Sequence, residues 1–286
     1  MSVVETVSTK VRSENIQAKG FEFRLCDAQE FVSLLKVVDA GLDTSGNGVE
    51  INLQVTPENI RIRQMDASHV AMVDVTIEPR SCETYRVSGS SMVRVDLAEL
   101  LKVLKNVGKD DALNFRFEPD SMSEKANLEI KVLSSNFRKI KIPLSEPTDS
   151  ELVPEPKFAF NVKVNMESKR LAKVIAEAQE YDDKILFETR SRDDRNSDLM
   201  IFKAKTETRE VEFELCRNDG SLYEIDIREN GKAVYNLDML SPLVKAVKNM
   251  TDTVTVEFSK DMPMLLTAQN NLAQVKYYLA PRIPDE

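Results

Sequence analysis

Paired carboxylates are the residues of this chain that come closest to a catalytic pattern. They occur as Asp182-Asp183 and Asp193-Asp194, each beside Lys or Arg in loop-like sequence. Clustered carboxylates can hold divalent metal ions that assist the hydrolysis of phosphodiesters. Charged pairs in such loops are more often solvated, and we interpret both pairs in that way. A metal-dependent DNA-modifying enzyme, such as a nuclease that uses these four aspartates, remains the alternative.

Other catalytic and ligand-binding patterns are missing from the sequence. A single histidine, His69, and three widely spaced cysteines exclude a His-rich metal site, a CxxC motif and a disulfide framework. The chain has no phosphate-binding loop, dinucleotide fingerprint, HExxH or GxSxG motif. Residues 43–48 partly imitate a calcium loop, but Gln54 stands where the bidentate glutamate is required. We therefore predict no catalytic residue, no metal site and no cofactor.

The composition indicates a soluble, folded protein of about two domains. The chain has 286 residues, of which 42% are hydrophobic and 30% are charged. No apolar run reaches the ~20 residues of a membrane helix, and the N-terminus lacks the apolar segment of a signal peptide. The formal net charge is −9, which argues against nucleic-acid binding only if the charge is spread evenly.

A change of amino-acid composition in the middle of the chain predicts a domain boundary. Residues 1–20 are polar and aperiodic and are predicted to be a mobile extension, and order is expected from residue 21. A first domain over 21–142 is followed by a proline-rich, acidic connector at 143–156, which reads PLSEPTDSELVPEP. A second domain over 157–280 and a short tail over 281–286 complete the chain.

An internal repeat is the most informative pattern. Residues 100–106 read LLKVLKN and residues 243–249 read LVKAVKN, so apolar, lysine and asparagine positions recur in the same order. Each half is predicted to run strand, helix, strands, helix, strands. Asp27 is expected to cap the first helix, and Gly41, with the GNG at 46–48, is expected to end it and turn the chain. Two similar α+β domains are the economical interpretation.

Lysine and arginine concentrate on the predicted helices, whereas acidic residues collect in the connector, the loops and the tail. The simplest explanation is that the lysines only keep the outer face of each amphipathic helix in contact with water. The recurrence of the same lysine spacing in both halves favours instead a shared role in contacting the phosphates of a polyanion. The candidate DNA-binding residues are Lys36, Lys102, Lys105, Lys109, Lys169, Arg170, Lys173, Lys245 and Lys248.

Two motifs resemble a known family. Residues 65–70 read MDASHV and residues 276–283 read KYYLAPRI, and both resemble signatures of the sliding clamps of the proliferating cell nuclear antigen (PCNA) type. Residues 84–86, TYR, match a strand of that family as well. The resemblance covers residues 21–286 and has an archaeal style. The extension at 1–20 and the proline content of the connector depart from the family pattern.

The resemblance implies an α+β fold of two similar domains and a ring-shaped trimer, with helices lining a central hole and antiparallel sheets outside. It implies a non-enzymatic processivity factor that encircles duplex DNA without reading its sequence and has no membrane partner. The implied partners are DNA polymerase, flap endonuclease, DNA ligase and the clamp loader, replication factor C. A subunit that acts only in a heterotrimer with paralogous chains is the alternative. The expected location is the cytoplasm, at the nucleoid, if the chain is archaeal, and the nucleus if it is eukaryotic.

The resemblance also implies a pocket for partner peptides of the form Q-x-x-apolar-x-x-aromatic-aromatic. It lies between the MDASHV loop, the connector and the C-terminal segment, and His69 is interpreted there as a packing and hydrogen-bonding residue. The implied peptide-binding residues are Met65, His69, Val70, Leu152, Val153, Pro263, Tyr278, Ala280, Pro281 and Ile283.

Overall fold

The computed structural model describes residues 19–42, 48–119, 126–145, 153–194 and 197–282. The helices are α1 (Ala28–Leu42), α2 (Leu97–Val103), α3 (Ser168–Gln179) and α4 (Leu237–Val247). The strands of the first half are β1 (Phe21–Leu25), β2 (Glu50–Val55), β3 (Ile60–Met65), β4 (Ala71–Ile77), β5 (Thr84–Val87), β6 (Ser91–Asp96), β7 (Ala112–Phe117), β8 (Asn127–Leu133) and β9 (Arg138–Pro143). Those of the second half are β10 (Val162–Glu167), β11 (Lys184–Arg190), β12 (Leu199–Lys205), β13 (Glu210–Leu215), β14 (Glu224–Ile227), β15 (Lys232–Asn236), β16 (Thr253–Phe258), β17 (Met264–Gln269) and β18 (Ala273–Leu279).

These strands form three antiparallel sheets that repeat one plan twice. The first half builds the sheet β5-β1-β7-β8-β9 and the group β4-β3-β2-β6, and the second half builds β14-β10-β16-β17-β18 and β13-β12-β11-β15. Strand β18 pairs with β4, so one sheet of nine strands runs through both halves. The second half therefore continues the hydrogen bonding of the first.

Backbone hydrogen bonds recur at equivalent points of the two halves. The N–H of Ala28 donates to the carbonyl of Asp111 where α1 begins, and the N–H of Ser168 donates to that of Asp252 where α3 begins, both at 2.9 Å. Each bond satisfies one of the amides that a helix leaves unpaired at its N-terminus. The internal repeat seen in the sequence thus extends to the pairing of single backbone groups.

The helices begin where side-chain oxygens can accept their first amides. The Asp27 carboxylate accepts the N–H groups of Gln29 and Glu30 at 2.8 and 3.0 Å, which confirms the predicted cap of α1. Asp96 caps α2 by accepting the N–H of Glu99 at 2.9 Å. These caps fix where each amphipathic helix leaves its preceding strand.

The four helices lie side by side in the order α2-α1-α4-α3 and pack against the sheets. Gly41 is part of α1, so the prediction that it ends the helix was wrong. A Cβ at this position would lie 2.5 Å from the Val73 side chain of β4. Glycine therefore allows α1 to approach the sheet closely, rather than breaking the helix.

Several boundaries differ from the sequence-based predictions. Strands β6 and β15 were missed, because each is short and runs directly into the following helix. Order begins before residue 21, since the N–H of Lys19 donates to Ser91 Oγ at 3.0 Å. The rest of the predicted extension, residues 1–18, lies outside the described residues. None of the described helices is both long and apolar enough to cross a membrane.

Candidate nucleic-acid interface and peptide site

The nine predicted DNA-binding residues are all exposed, and all lie on or beside the helix row. They are Lys36 on α1, Lys102 on α2, Lys105 and Lys109 in the turns after α2, Lys169, Arg170 and Lys173 on α3, and Lys245 and Lys248 on and at the end of α4. The apolar pattern of residues 96–107 predicts a single helix, but α2 ends at Val103, and the chain continues in turns from Leu104, which is fully buried. The basic side chains thus extend over all four helices of the row.

Within the described residues, three of these cations form loose ion pairs. Lys102 lies 3.4 Å from Glu99, Lys173 lies 3.7 Å from Glu177, and Lys169 lies 3.7 Å from Asp252. Exposed pairs of this kind contribute about 0–1 kcal/mol and are screened by salt. The ammonium groups therefore remain available to phosphates, and lysine recognises a phosphate as a point charge without reading bases.

A second candidate site is a row of apolar side chains across four strands of the nine-stranded sheet. Met65 of β3 pairs with Met72 of β4, Met72 with Tyr278 of β18, and Tyr278 with Leu265 of β17. We call these four residues the apolar row. They form a small hydrophobic cluster that is separate from the main core, and they are half-buried or buried. An apolar cluster on the outside of a sheet is the kind of surface that accepts the apolar anchors of a peptide.

The end of the connector and the residues directly after it cover this row. Val153 and Phe160 pack against it, and the Phe160 ring lies 5.9 Å from that of Phe158. The Phe158 ring lies 6.3 Å from that of Tyr278, and Phe158 is 40% exposed. The site therefore offers an aromatic edge that is open to solvent beside a covered apolar floor.

The loop between β3 and β4 is organised by a buried aspartate. The Asp66 carboxylate accepts the N–H groups of Ser68, Val70 and Ala71 at 3.0, 2.9 and 2.7 Å, and it also accepts the Ser68 hydroxyl. Burial alone raises the pKa of Asp66, but these hydrogen bonds together lower it below its usual value. His69 lies at the tip of this loop with a φ of 58° in the left-handed region. Asp66 thus holds a strained loop in place.

Replacing Asp66 by alanine should lower the free energy of unfolding by about 2 kcal/mol, because buried amides lose their acceptor. Denaturant unfolding at neutral pH measures the change. The folded-state pKa is lowered, so this stabilisation is present above the unfolded-state pKa of the carboxyl and disappears as the pH falls through the folded-state value. The difference between wild type and variant should therefore shrink in acid. An equal difference at every pH would contradict the assigned role.

Comparison with known proteins places this arrangement in a family. The family model described as proliferating cell nuclear antigen, N-terminal domain, matches residues 21–142. The DNA polymerase sliding clamp 1 of Pyrobaculum aerophilum is 26% identical over 258 residues, which cover 90% of this chain and 96% of the relative. The chain belongs to the PCNA family of sliding clamps. The relatives from Pyrobaculum aerophilum and Pyrococcus horikoshii are archaeal, and the clamp is of the archaeal type.

Solved structures agree with the fold of the clamp. PCNA from Thermococcus kodakaraensis has a TM-score of 0.79 at 25% identity, and the match covers 92% of this chain and 100% of that one. A structure of the PCNA2–PCNA3 complex from Sulfolobus tokodaii has a TM-score of 0.76 at 23% identity, covering 91% and 99%. The α+β fold of two similar domains predicted from the sequence is confirmed.

Some of the predicted peptide-binding residues lie at the apolar row, others lie around it, and two lie outside the described residues. Met65, Val153 and Tyr278 belong to the apolar row or pack on it. The N–H of Ala280 donates to the carbonyl of Val70 at 2.8 Å, which ties the C-terminal segment to the MDASHV loop.

The other predicted peptide-binding residues lie around the apolar row or outside the described residues. Pro281 follows Ala280 and Pro263 precedes β17, and both are half-buried. Leu152 and Ile283 lie outside the described residues. The interpretation of His69 as a packing residue was wrong, because its side chain is exposed and the buried polar residue of the loop is Asp66.

Four residues of this surface were missed. Met72 and Leu265 complete the row, and Phe158 and Phe160 cover or border it. One signal was available for Met72: strand β4 reads AMVDVTI, with apolar residues on both faces at its start, which indicates that both faces are covered. No local signal shows that the row crosses from β4 to β18.

Three of the four paired aspartates are held by hydrogen bonds or an ion pair. Asp183 forms an ion pair with Arg282 at 2.8 Å, and Asp182 Oδ1 accepts the N–H of Asp183 at 2.8 Å. Asp194 accepts the Ser197 hydroxyl at 2.9 Å. In the part of the chain that the structure describes, no three His, Cys, Asp or Glu side chains are grouped so as to hold a metal ion.

Proposed function

We propose that three copies of this clamp close head-to-tail into a ring around duplex DNA. The ring tethers DNA polymerase and other DNA enzymes and performs no catalysis of its own. The single observation that carries this proposal is the pair of open sheet edges, β9 and β13, that the internal repeat makes complementary. A heterologous contact that closes by rotation is the geometry that a ring requires.

The join between the two halves of one chain supplies the template for the contact between chains. Strand β18 pairs with β4, and their equivalents in the repeat are β9 and β13. Among the described residues β9 pairs only with β8, and β13 only with β12. Unpaired edges with free N–H and C=O groups favour pairing with another chain. Pairing of β9 with β13 of the next copy would repeat the β18–β4 join at each subunit contact.

The register of this contact follows from equivalent positions. The N–H groups of Ser145 and Arg282 donate to the outer strands β6 and β15 at 3.1 and 2.7 Å. Each residue lies six positions after a lysine, Lys139 or Lys276, so these lysines are equivalent. Lys276 pairs with Asp74, which itself pairs with Arg63.

On the other edge, Glu212 is the equivalent of Asp74, since it pairs with Lys203 as Asp74 pairs with Arg63. The transferred register places Lys139 opposite Glu212. A cation–anion–cation ladder across three strands within the chain is therefore repeated between chains.

The next two positions along β9 and β13 also form complementary pairs in this register. The same register places Lys141 opposite Glu210 and Ile140 opposite Val211. Lys141 and Glu210 are exposed, whereas Ile140 and Val211 are half-buried and pack on the main core. The contact would thus join apolar side chains on the core face and opposite charges on the outer face.

This complementarity favours a ring of identical chains, because one chain supplies both edges. The Sulfolobus tokodaii structure is a complex of two different PCNA chains, so the mixed ring is the alternative to test. The native mass of the purified chain separates the two: a trimer supports the homomeric ring, and a monomer supports a subunit that needs paralogous chains.

The helix row would face the DNA. Its nine exposed basic residues lie on the side of the sheets that the helices cover, and weak contacts with phosphates would let the ring slide. Polymerase, flap endonuclease, DNA ligase and replication factor C would dock on the opposite side, at the apolar row. We place the clamp in the cytoplasm, at the nucleoid of an archaeal cell.

Reversing the charge of Lys105 and Lys248 together should reduce clamp-stimulated DNA synthesis by about tenfold at 0.15 M salt, because phosphate contacts are lost in every subunit. The matched control reverses Lys163 and Lys232, which are exposed on strands. Both variants should remain trimers by native mass. Equal stimulation by the two variants would contradict the assignment of the helix row to DNA.

A magnesium-dependent cleavage assay tests the absence of catalysis. The trimer should leave single-stranded, duplex and flap DNA intact. Cleavage that disappears on replacing Asp182 and Asp194 by asparagine would support the metal-dependent enzyme instead.

A further inference from the structure

A row of charged side chains lies directly beside the apolar row. Arg63, Asp74 and Lys276 are cross-strand neighbours on β3, β4 and β18, two positions along from Met65, Met72 and Tyr278. Since side chains alternate between faces, both rows lie on the same face of the sheet. We call Arg61, Arg63, Asp74 and Lys276 the ionic row.

Asp74 is the centre of this row. Arg61 donates to both of its carboxylate oxygens, at 2.9 and 2.8 Å, and Arg63 donates to it at 2.8 Å. The Asp74 side chain is 2% exposed and that of Arg63 is 8% exposed. Burial raises the pKa of Asp74, against the hydrogen bonds and the charge of Arg61, so this carboxylate needs its cationic partners to stay ionised.

The Glu155 carboxylate of the connector contacts the three cations of the ionic row. One carboxylate oxygen accepts Lys276 Nζ at 2.8 Å, and the other lies 3.1 Å from Arg63 and 3.5 Å from Arg61. Arg63 also donates to the carbonyl of Val153 at 3.2 Å. The hydrogen bond from Lys276 lowers the pKa of Glu155, and that bond in turn raises the pKa of Lys276.

The connector has few other means of attachment at this point. Pro154 and Pro156 flank Glu155, and proline has no N–H to donate. Val153, two residues before Glu155, and Phe160, five residues after it, are the side chains that pack on the apolar row. The position of the apolar cover therefore depends on the charged contact between them.

We propose that Glu155 is a positioning residue for peptide binding: it fastens the connector to the ionic row and so sets Val153 and Phe160 over the apolar row. This inference rests on the proposed function of the apolar row as a peptide site. Glu155 itself does not contact the peptide. Its removal leaves three cations with one anion, Asp74, so the connector loses its anchor while the sheet keeps its buried ion pairs.

The test compares Glu155→Gln with a matched control, Glu224→Gln, on the intact trimer. Glu224 is an exposed glutamate on β14, at the far edge of the nine-stranded sheet. Hydrogen exchange of residues 153–160, followed by mass spectrometry, reports on the connector without any ligand. Titration of a synthetic peptide Gln-x-x-Leu-x-x-Phe-Phe reports on the site.

Glu155→Gln should speed exchange of residues 153–160 and weaken peptide binding, each by about three- to tenfold, because partly buried ion pairs contribute more than exposed ones. Raising the salt should weaken wild-type binding more than binding to Glu155→Gln. Glu224→Gln should match wild type in both measurements.

A double change, Glu155→Gln with Lys276→Gln, should add little to Glu155→Gln alone in hydrogen exchange, since the two side chains act as one contact. Unchanged exchange in Glu155→Gln would overturn the proposal. Faster exchange with no peptide binding by wild type would keep the fastening of the connector and refute the peptide site. Faster exchange with unchanged peptide affinity would refute the positioning role.

Discussion

Replacing Lys141 by glutamate should convert the trimeric clamp into monomers at micromolar concentration. In the register derived from the internal repeat, Lys141 of one subunit lies opposite Glu210 of the next. The variant places two glutamates opposite each other at every contact of the ring. Like charges that face each other across an interface cost enough to weaken each contact by about tenfold or more. All three contacts must hold for the ring to close, so the effect on trimer formation is compounded.

The decisive variant is the charge swap within one chain, Lys141→Glu with Glu210→Lys. It restores opposite charges at every contact and should restore the trimer, whereas Glu210→Lys alone should dissociate it as Lys141→Glu does. Sedimentation at several concentrations measures the equilibrium.

Each single change also affects its own sheet, because Lys141 pairs with Glu129 and Glu210 pairs with Lys205. Thermal unfolding of each variant therefore checks the fold of the subunit. Lys163→Glu, on a strand that is paired on both sides, is the matched control and should remain a trimer. A stable trimer of Lys141→Glu, or a swap that fails to reassemble, would contradict the register.

Replacing Tyr278 by alanine should weaken binding of the peptide Gln-x-x-Leu-x-x-Phe-Phe by about thirty- to a hundredfold, because buried aromatic anchors at the centre of an interface carry most of its energy. Tyr278 joins both halves of the apolar row and lies beside Phe158 on its open side. Its loss removes the centre of the floor of the site and the ring beside which Phe158 lies. Fluorescence anisotropy of a labelled peptide measures the affinity.

Two further variants separate this role from general damage to the fold. Tyr278→Phe keeps the ring and should bind within about twofold of wild type, since the ring and not the hydroxyl packs on the row. Tyr223→Ala removes an aromatic residue that is 52% exposed and lies beside β14, and it should not change the affinity. Equal losses in Tyr278→Ala and Tyr223→Ala would refute the assignment of the peptide site.

Local patterns in the sequence predicted the elements better than their boundaries. The cap at Asp27 and the apolar periodicity of the helices act within a few residues, so they can be read without the fold. Strands β6 and β15 escaped because a short strand that runs into a helix has no turn signal at its end. The helical pattern continues through Leu104, which is buried, so it indicated the apolar face of α2 but not the end of the helix at Val103.

The candidate sites show the same difference between features set by local spacing and features set by the fold. The nine basic residues predicted to bind DNA are all exposed on or beside the helices, because an exposed lysine on an amphipathic helix is evident from spacing alone. Of the residues predicted to bind a peptide, Met65, Val153 and Tyr278 lie in or against the apolar row. His69 was interpreted as a packing and hydrogen-bonding residue, but the buried polar residue of its loop is Asp66, since a motif shows which residues occur together and not which of them is buried.

The sequence by itself determined that the chain is a duplicated α+β protein with basic helices, a proline-rich connector and the motifs of a sliding clamp. These features are periodic or contiguous, so they can be recognised in the linear sequence. Only the tertiary structure decided that β18 joins β4, that an apolar row and an ionic row run side by side across that join, and that Glu155 fastens the connector there. Cross-strand neighbours are set by register between segments far apart in the chain, and such long-range pairing leaves no local pattern from which it could be read.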